Sequence, residues 1–279
     1  MKIIECPRDA IQGIKDFIPT ASKISYINNL MKVGFHTIDV GSFVSHKAVP
    51  QMRDTAKVID SLEVTDSNTK LLVIIANIRG ALEACEFNQI SYLGFPLSVS
   101  EKFQYRNTNK TINQSLIMVE EVQNICIKNN KELVIYLSMS FGNPYGENYH
   151  ADLVAELTSK LYNLEIPIIA LSDTIGVSNH ENISLLFDTL INEYPDVEFG
   201  AHFHSNADDS INKIKSAYFN GCRRFDSAIK GYGGCPMAQD NLVGNIDSEQ
   251  LIQFMKSQNL PCNLLGYDQS VKQFEKIIS

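Results

Sequence analysis

Long hydrophobic runs are missing from this 279-residue chain. No segment reaches the roughly 18 to 20 uninterrupted apolar residues of a membrane span, so no span is expected. No secretory leader is visible either, because Met1-Lys2-Ile3-Ile4-Glu5 brings in an acid early with no long apolar stretch behind it. The expected compartment is the cytoplasm. Positive charge is scarce too: 24 Lys and Arg against 32 Asp and Glu leave a formal net charge of -8. Nucleic acid and anionic membrane both require a basic footprint, so neither is expected as a partner and a small molecule is. The six cysteines (Cys6, Cys85, Cys126, Cys222, Cys235, Cys262) never fall in a C-x-x-C pattern. That spacing indicates neither a zinc cluster nor a disulfide framework, and most of them are expected as buried thiols. No G-x-G-x-x-G follows the first strand-like run, so a dinucleotide site has no support.

What is present is regular. With 44% hydrophobic and 20% charged residues, the chain can bury the core of one globular domain of barrel size. Short apolar, β-branched runs read as strands at Lys2 to Cys6, His36 to Val40, Leu71 to Ala76, Ile90 to Leu93, Leu133 to Ser138, Ile168 to Leu171, Glu198 to His202 and Arg223 to Ala228. Between them, apolar residues at three- and four-residue spacing predict helices over Lys23 to Val33, Met52 to Leu62, Gln114 to Lys128, Tyr149 to Leu161, Ile183 to Tyr194, Ala207 to Phe219 and Ser248 to Lys256. Eight such units suggest a closed α/β barrel of the (β/α)8 TIM type more than an open doubly wound sheet. Residues 1–279 are therefore read as a single TIM-barrel domain, with a short C-terminal helical extension at Ser270 to Ile278.

A barrel of this kind carries its chemistry at the carboxyl ends of its strands. The polar residues there fit that demand: Arg8 and Asp9 after strand one, Asp39 and Ser42 after strand two, Asp173 and Thr174 after strand six, His202 and His204 after strand seven, and a glycine-rich loop after strand eight. In an extended strand, residues i and i+2 share a face, so His202 and His204 aim at one point and suggest a metal. Taken alone, the same pair is also compatible with two imidazoles on a solvated face, Arg8-Asp9 with a surface ion pair, and Cys235 with an inert thiol. His36 and His46 read as structural.

The segments Arg8-Asp9 with Gln12, Asp39-Val40-Gly41-Ser42-Phe43-Val44-Ser45, Val49-Pro50-Gln51-Met52, Ser172-Asp173-Thr174-Ile175-Gly176, the His202/His204 pair and Gly231-Tyr232-Gly233-Gly234-Cys235-Pro236 resemble the 3-hydroxy-3-methylglutaryl-CoA (HMG-CoA) lyases of the DRE-TIM metallolyase superfamily. The resemblance covers nearly the whole chain. It implies a divalent Mg2+ or Mn2+ held by Asp9, His202, His204 and Asn245, with Asn241 nearby as an alternative to the last. One carboxylate, two imidazoles and an amide oxygen would leave two octahedral positions for substrate oxygens. The implied reaction is a retro-Claisen cleavage giving acetoacetate and acetyl-CoA. In it, Arg8 would stabilise the thioester enolate, Cys235 would return a proton to carbon, and Asp39, Asp173 or His202 would accept the hydroxyl proton. An exposed Cys235 would also make activity redox-sensitive.

The implied partner is an acyl-CoA substrate, with a homodimer as the assembly common among such lyases. Lys15, Lys47, Arg53 and Lys230 are candidate contacts for its phosphates. The chain departs from the family pattern at Asp39, where Glu is usual, at Ala10, where Gly is usual, and at Ser205-Asn206, where Asp-Thr is usual. These departures bear on which hydroxyacyl-CoA is used. A Claisen-type synthase of the same superfamily and a non-catalytic acyl-CoA-binding homologue are the alternatives.

Overall fold

The computed structural model describes residues 1–64, 67–234, 243–262 and 264–279. Cys235 and Asn241 lie outside the described residues. Eight parallel strands close in sequence order into a barrel: β1 (Lys2–Glu5), β2 (Thr37–Ser42), β3 (Lys70–Ile74), β4 (Ile90–Ser98), β5 (Glu132–Ser138), β6 (Ile168–Asp173), β7 (Glu198–Phe203) and β8 (Arg224–Ser227), the last pairing back to β1. All eight fall on the runs read as strands. The helices are α1 (Pro7–Ile11), α2 (Thr20–Val33), α3 (Thr55–Asp60), α4 (Ile78–Cys85), α5 (Glu101–Thr108), α6 (Ile112–Lys128), α7 (Ala151–Asn163), α8 (His180–Glu193), α9 (Ala207–Phe219), α10 (Ser248–Ser257) and α11 (Tyr267–Ile278). α11 is the predicted C-terminal extension and packs against α2. No described helix is long and apolar enough to cross a membrane.

Strand alternation divides the interior into two layers. Leu71 and Val73, Leu133, Ile135 and Leu137, and Ile169 and Leu171 point outward into the large core beneath the helices. Leu72, Tyr92, Val134, Tyr136, Ile168 and Ala170 point into the barrel lumen. The same period of two sends Asp39 on β2 and Arg224 and Asp226 on β8 to positions that are buried although charged.

Differences from the sequence reading lie in short helices. The stretch Met52 to Leu62 splits into a 3-10 turn at Pro50–Met52 and α3. α4 and α5, eight residues each, and the five-residue α1 are too short to show a sustained period. Side-chain caps start several helices that follow strands: Asn77 for α4, Asn179 for α8 and Asn206 for α9 each accept backbone N–H groups of the first turn. Asn206 thereby accounts for one of the departures noted after His204.

Candidate active site at the carboxyl end of the barrel

Pro7 follows β1 at the first position of α1, where its missing N–H is harmless and its fixed φ starts the turn. Arg8 and Asp9 therefore stand side by side at the rim with Gln12 one turn on. Arg8 grips Asp39 Oδ2 through Nε and Nη2 at 2.9 and 2.6 Å. Its Nη1 donates to Asp9 Oδ1 and to Gln12 Oε1, each at 3.0 Å. Burial alone would lower the Arg8 pKa; Asp39 and Asp9 outweigh it and raise it, so the guanidinium is permanently charged. Asp39 is pushed up to about 6 by burial against the pull of Arg8.

Asp9 is buried. Its Oδ1 also accepts from Gln12 Nε2 at 2.7 Å, and its Oδ2 accepts from Asn245 Nδ2 at 2.6 Å and from the Gly234 N–H at 3.3 Å. Burial by itself would raise this carboxyl; Arg8, His202 and His204 together hold it below the usual range. Asn245 is brought in by an isolated bridge to His204 and also donates to Tyr232 O at 2.8 Å, so both N–H groups of its amide are engaged and its Oδ1 is the atom left for a cation. The loop closes tightly on this cluster. A Cβ on Gly233, which sits at φ +102°, would lie 2.6 Å from Asn245 Nδ2 and 2.9 Å from Asp9 Oδ2.

The two imidazoles stand 5.3 Å apart, ring centre to ring centre. His202 Nδ1 faces Asp226 Oδ2 at 3.1 Å and His204 Nδ1 faces Thr174 O at 2.9 Å. A carbonyl and a carboxylate only accept, so both rings carry their proton on Nδ1 and turn Nε2 the other way. His204 Nε2 is buried and has no hydrogen-bond partner among the described residues. Burial, then the neighbouring His202, lowers the His204 pKa and keeps the ring neutral. Burial would do the same to His202, but the hydrogen bond and charge of Asp226 raise it overall.

This donor set fits a divalent cation: a neutral imidazole with an orphaned lone pair, a second imidazole fixed through its other nitrogen by a carboxylate, an anionic Asp9 and an amide. Among the described residues, no three His, Cys, Asp or Glu side chains form a ready-made cage by themselves. Asp9 turns its two oxygens onto Arg8, Gln12, Asn245 and Gly234.

Arg8, Asp9, His202 and His204 all line a cavity of about 370 Å3 that Asn107 and Lys110 also line. Asp39 stands behind Arg8 as its anchor. Asp173 is placed elsewhere: its Oδ1 accepts the Val177 N–H at 2.9 Å, and its Oδ2 accepts from Ser178 N–H at 3.0 Å, Ser178 Oγ at 2.5 Å and Lys213 Nζ at 2.8 Å. A fully engaged carboxylate on an ammonium is poorly suited to accept a substrate proton, so of the three base candidates only His202 faces the cavity.

The phosphate candidates do not line this cavity. Arg53 lies over the Phe17 ring at 3.6 Å, Lys230 pairs with Glu275, and Lys15 and Lys47 are exposed and not among the lining residues, although Lys47 stands between Ser45 and Ala48, which are. Lys110, which does line the cavity, was missed, as was Asp226. Asp226 could have been found from strand period, since Arg224 and Asp226 are both inward positions of β8.

A closed βα barrel with paired imidazoles, a carboxylate and a clamped guanidinium at its carboxyl rim is the frame of a barrel enzyme. The chain belongs to the HMGL-like family, whose model matches residues 2–274. Among its relatives, the cytoplasmic 3-hydroxy-3-methylglutaryl-CoA lyase of Rattus norvegicus is 31% identical over 93% of this chain and 75% of that protein. An HMG-CoA lyase from Acinetobacter baumannii, solved in complex with coenzyme A and 3-methylmalate, superposes with a TM-score of 0.91 at 29% identity, covering 100% of this chain and 91% of the other. The Bacillus subtilis HMG-CoA lyase structure gives a TM-score of 0.92 at 28% identity over 99% and 93% of the two chains.

Proposed function

We infer that this chain, read as one catalytic barrel over residues 1–279, is a divalent-metal-dependent carbon–carbon lyase cleaving HMG-CoA to acetoacetate and acetyl-CoA. The observation that carries this reading is that Arg8, Asp9, His202 and His204 line the same cavity, in a chain similar along its length to HMG-CoA lyases. Asp9, His202, His204 and Asn245 would hold Mg2+ or Mn2+. The cation supplies Lewis acidity, which lets a tertiary hydroxyl ionise near neutral pH.

The chain's own residues do the rest. As the hydroxyl gives up its proton to water, the C2–C3 bond breaks, the C3 oxygen becomes the ketone of acetoacetate, and the bonding pair moves onto the thioester as the enolate of acetyl-CoA. Arg8 is the donor for that enolate oxygen: Asp39 fixes its fork, so it does not reorganise as charge develops. The enolate carbon then takes a proton. A thiol with an ordinary pKa of about 8.5 is protonated at neutral pH yet transfers readily, and Cys235 follows the loop that closes on Asp9 and Asn245. Lys110 at the cavity wall is placed to meet an anionic part of the acyl-CoA.

The test is incubation of pure protein with Mg2+ and HMG-CoA, with acetoacetate as the measured product. Acetoacetate formation is expected. Binding of HMG-CoA without product would favour the non-catalytic reading, and release of free CoA thiol from acetyl-CoA plus a 2-oxo acid would favour the synthase.

A further inference from the structure

Lys213 on α9 is buried to 2% exposure, an unusual place for a lysine. Its ammonium has three N–H groups and meets three acceptors: Asp173 Oδ2 at 2.8 Å, Gly176 O at 3.1 Å and His204 O at 3.1 Å. The more exposed Asp209 lies farther off, at 3.9 Å. Of the three acceptors, Asp173 ends β6, Gly176 lies in the turn after it, and the third is the main chain of a candidate metal ligand.

The same turn is tied down at its other points. Asp173 holds the Val177 and Ser178 N–H groups, and Thr174 O receives the Nδ1 proton of His204. Lys213 therefore clasps both sides of the His204 imidazole's support, the carbonyl of its own residue and the turn whose carbonyl sets its tautomer. We propose that Lys213 is a positioning residue that holds His204 with its Nε2 lone pair free for the metal, and that it fixes Asp173 as an anchoring anion instead of a base.

The inference rests on the metal site of the proposed lyase. It makes Asp173 and Lys213 one buried unit, in which removing either partner strands a charge. Beyond stability, it predicts a specific loss: with the clasp gone, the turn that carries Thr174 O and the His204 carbonyl lose a shared restraint, although the His204 N–H still bonds Asp173 O, and the imidazole is held less firmly in one tautomer. Supports of metal ligands of this kind typically change affinity by about ten- to hundredfold when removed.

The test uses the full chain carrying Lys213→Met together with Asp173→Asn, which neutralises both buried charges so that the fold is retained, alongside Lys213→Met alone. Mn2+ affinity is followed by electron paramagnetic resonance of the free ion, and the His204 tautomer by nitrogen NMR of the metal-free protein. In the double variant, Mn2+ affinity is expected to fall about ten- to hundredfold, and a second His204 tautomer to appear, while thermal stability recovers relative to Lys213→Met. If the double variant binds Mn2+ as tightly as the unsubstituted chain and keeps a single tautomer, Lys213 is only a structural ion-pair partner and the proposal is overturned. An unsubstituted chain that binds no Mn2+ would remove the metal site and the proposed lyase with it; the tautomer measurement would still decide the clasp.

Discussion

Arg8 carries three acceptors at once, and which of them matters differs between stability and turnover. Asp39 takes the two shortest bonds and sets the direction of the fork; Asp9 and Gln12 take the remaining nitrogen. Replacing Arg8 by Met leaves Asp39 buried without its partner, and the carboxyl, already pushed up to about 6, can respond by protonating. The fold should therefore survive while the enolate loses its donor. The expected result for Arg8→Met is a fall in kcat of about a hundred- to a thousandfold, the range for removing one preorganised oxyanion donor, with KM for HMG-CoA much less affected. Steady-state kinetics at saturating Mg2+ check this; an equal loss through KM alone would place Arg8 in binding instead. The Arg-Asp pair and the two histidines were legible in the sequence because each pair is adjacent or two apart, where local geometry already decides that the side chains converge. Asp226 and Lys213 were not read, although Lys213 shares the apolar face of α9 with Ser210, Ile214 and Ala217, and a lone cation on such a stripe is a visible signal.

Elements meet at Glu5, the last residue of β1. Its Oε1 accepts the Ile229 N–H at 2.9 Å just beyond β8, and its Oε2 lies 2.5 Å from Ser248 Oγ at the start of α10. One carboxyl thus ties β1 to both arms of the loop that carries Gly233 and Asn245. Burial pushes it up to about 8 from an ordinary 4.5, only partly offset by the Ser248 hydrogen bond. Between those two values the folded chain keeps a proton that the unfolded chain has released, so stability falls as pH rises through the window. Glu5→Gln keeps the acceptor for Ile229 and can donate to Ser248, but it does not titrate. The melting temperature of the Gln variant relative to the unsubstituted chain should therefore increase steadily from about pH 5 to about pH 8, measured by thermal melts across that range; a constant difference would mean that Glu5 ionises normally. The helices that sequence periodicity missed, α4 and α5, are short, and α5 opens the segment that brings Lys110 to the cavity. Cavity-lining residues were thus least legible where the elements had too few turns to show a period.

At the scale of the whole barrel, Arg224 stands in the lumen below the candidate site with all three guanidinium nitrogens buried and, among the described residues, without a hydrogen bond of good geometry, its nearest polar neighbours being Tyr92 and Glu198. Glu198 is 3.8 Å away and the Tyr92 ring 5.3 Å, and the absence of a Cβ on Gly200 leaves room for the stem, since one there would lie 3.1 Å from Arg224 Cδ. A buried, poorly paired cation is destabilising, and a methionine fills nearly the same space without the charge. Arg224→Met is expected to raise the melting temperature, by about 2–4 °C for each kcal/mol relieved in a domain of this size; calorimetry checks the sign, and a lower value would show that Glu198 and Tyr92 compensate the charge after all. The sequence by itself determined the barrel, because eight apolar β-branched runs separated by helical periods admit few other closures, and it determined which residue types reach the rim. Only the tertiary structure shows what those residues touch there. That Asp173 meets an ammonium, that Asp39 holds Arg8 and that His204 turns Nδ1 to Thr174 O depend on contacts between residues tens of positions apart, as with Asp173 and Lys213. Local pattern carries no information about such contacts until the strands have closed.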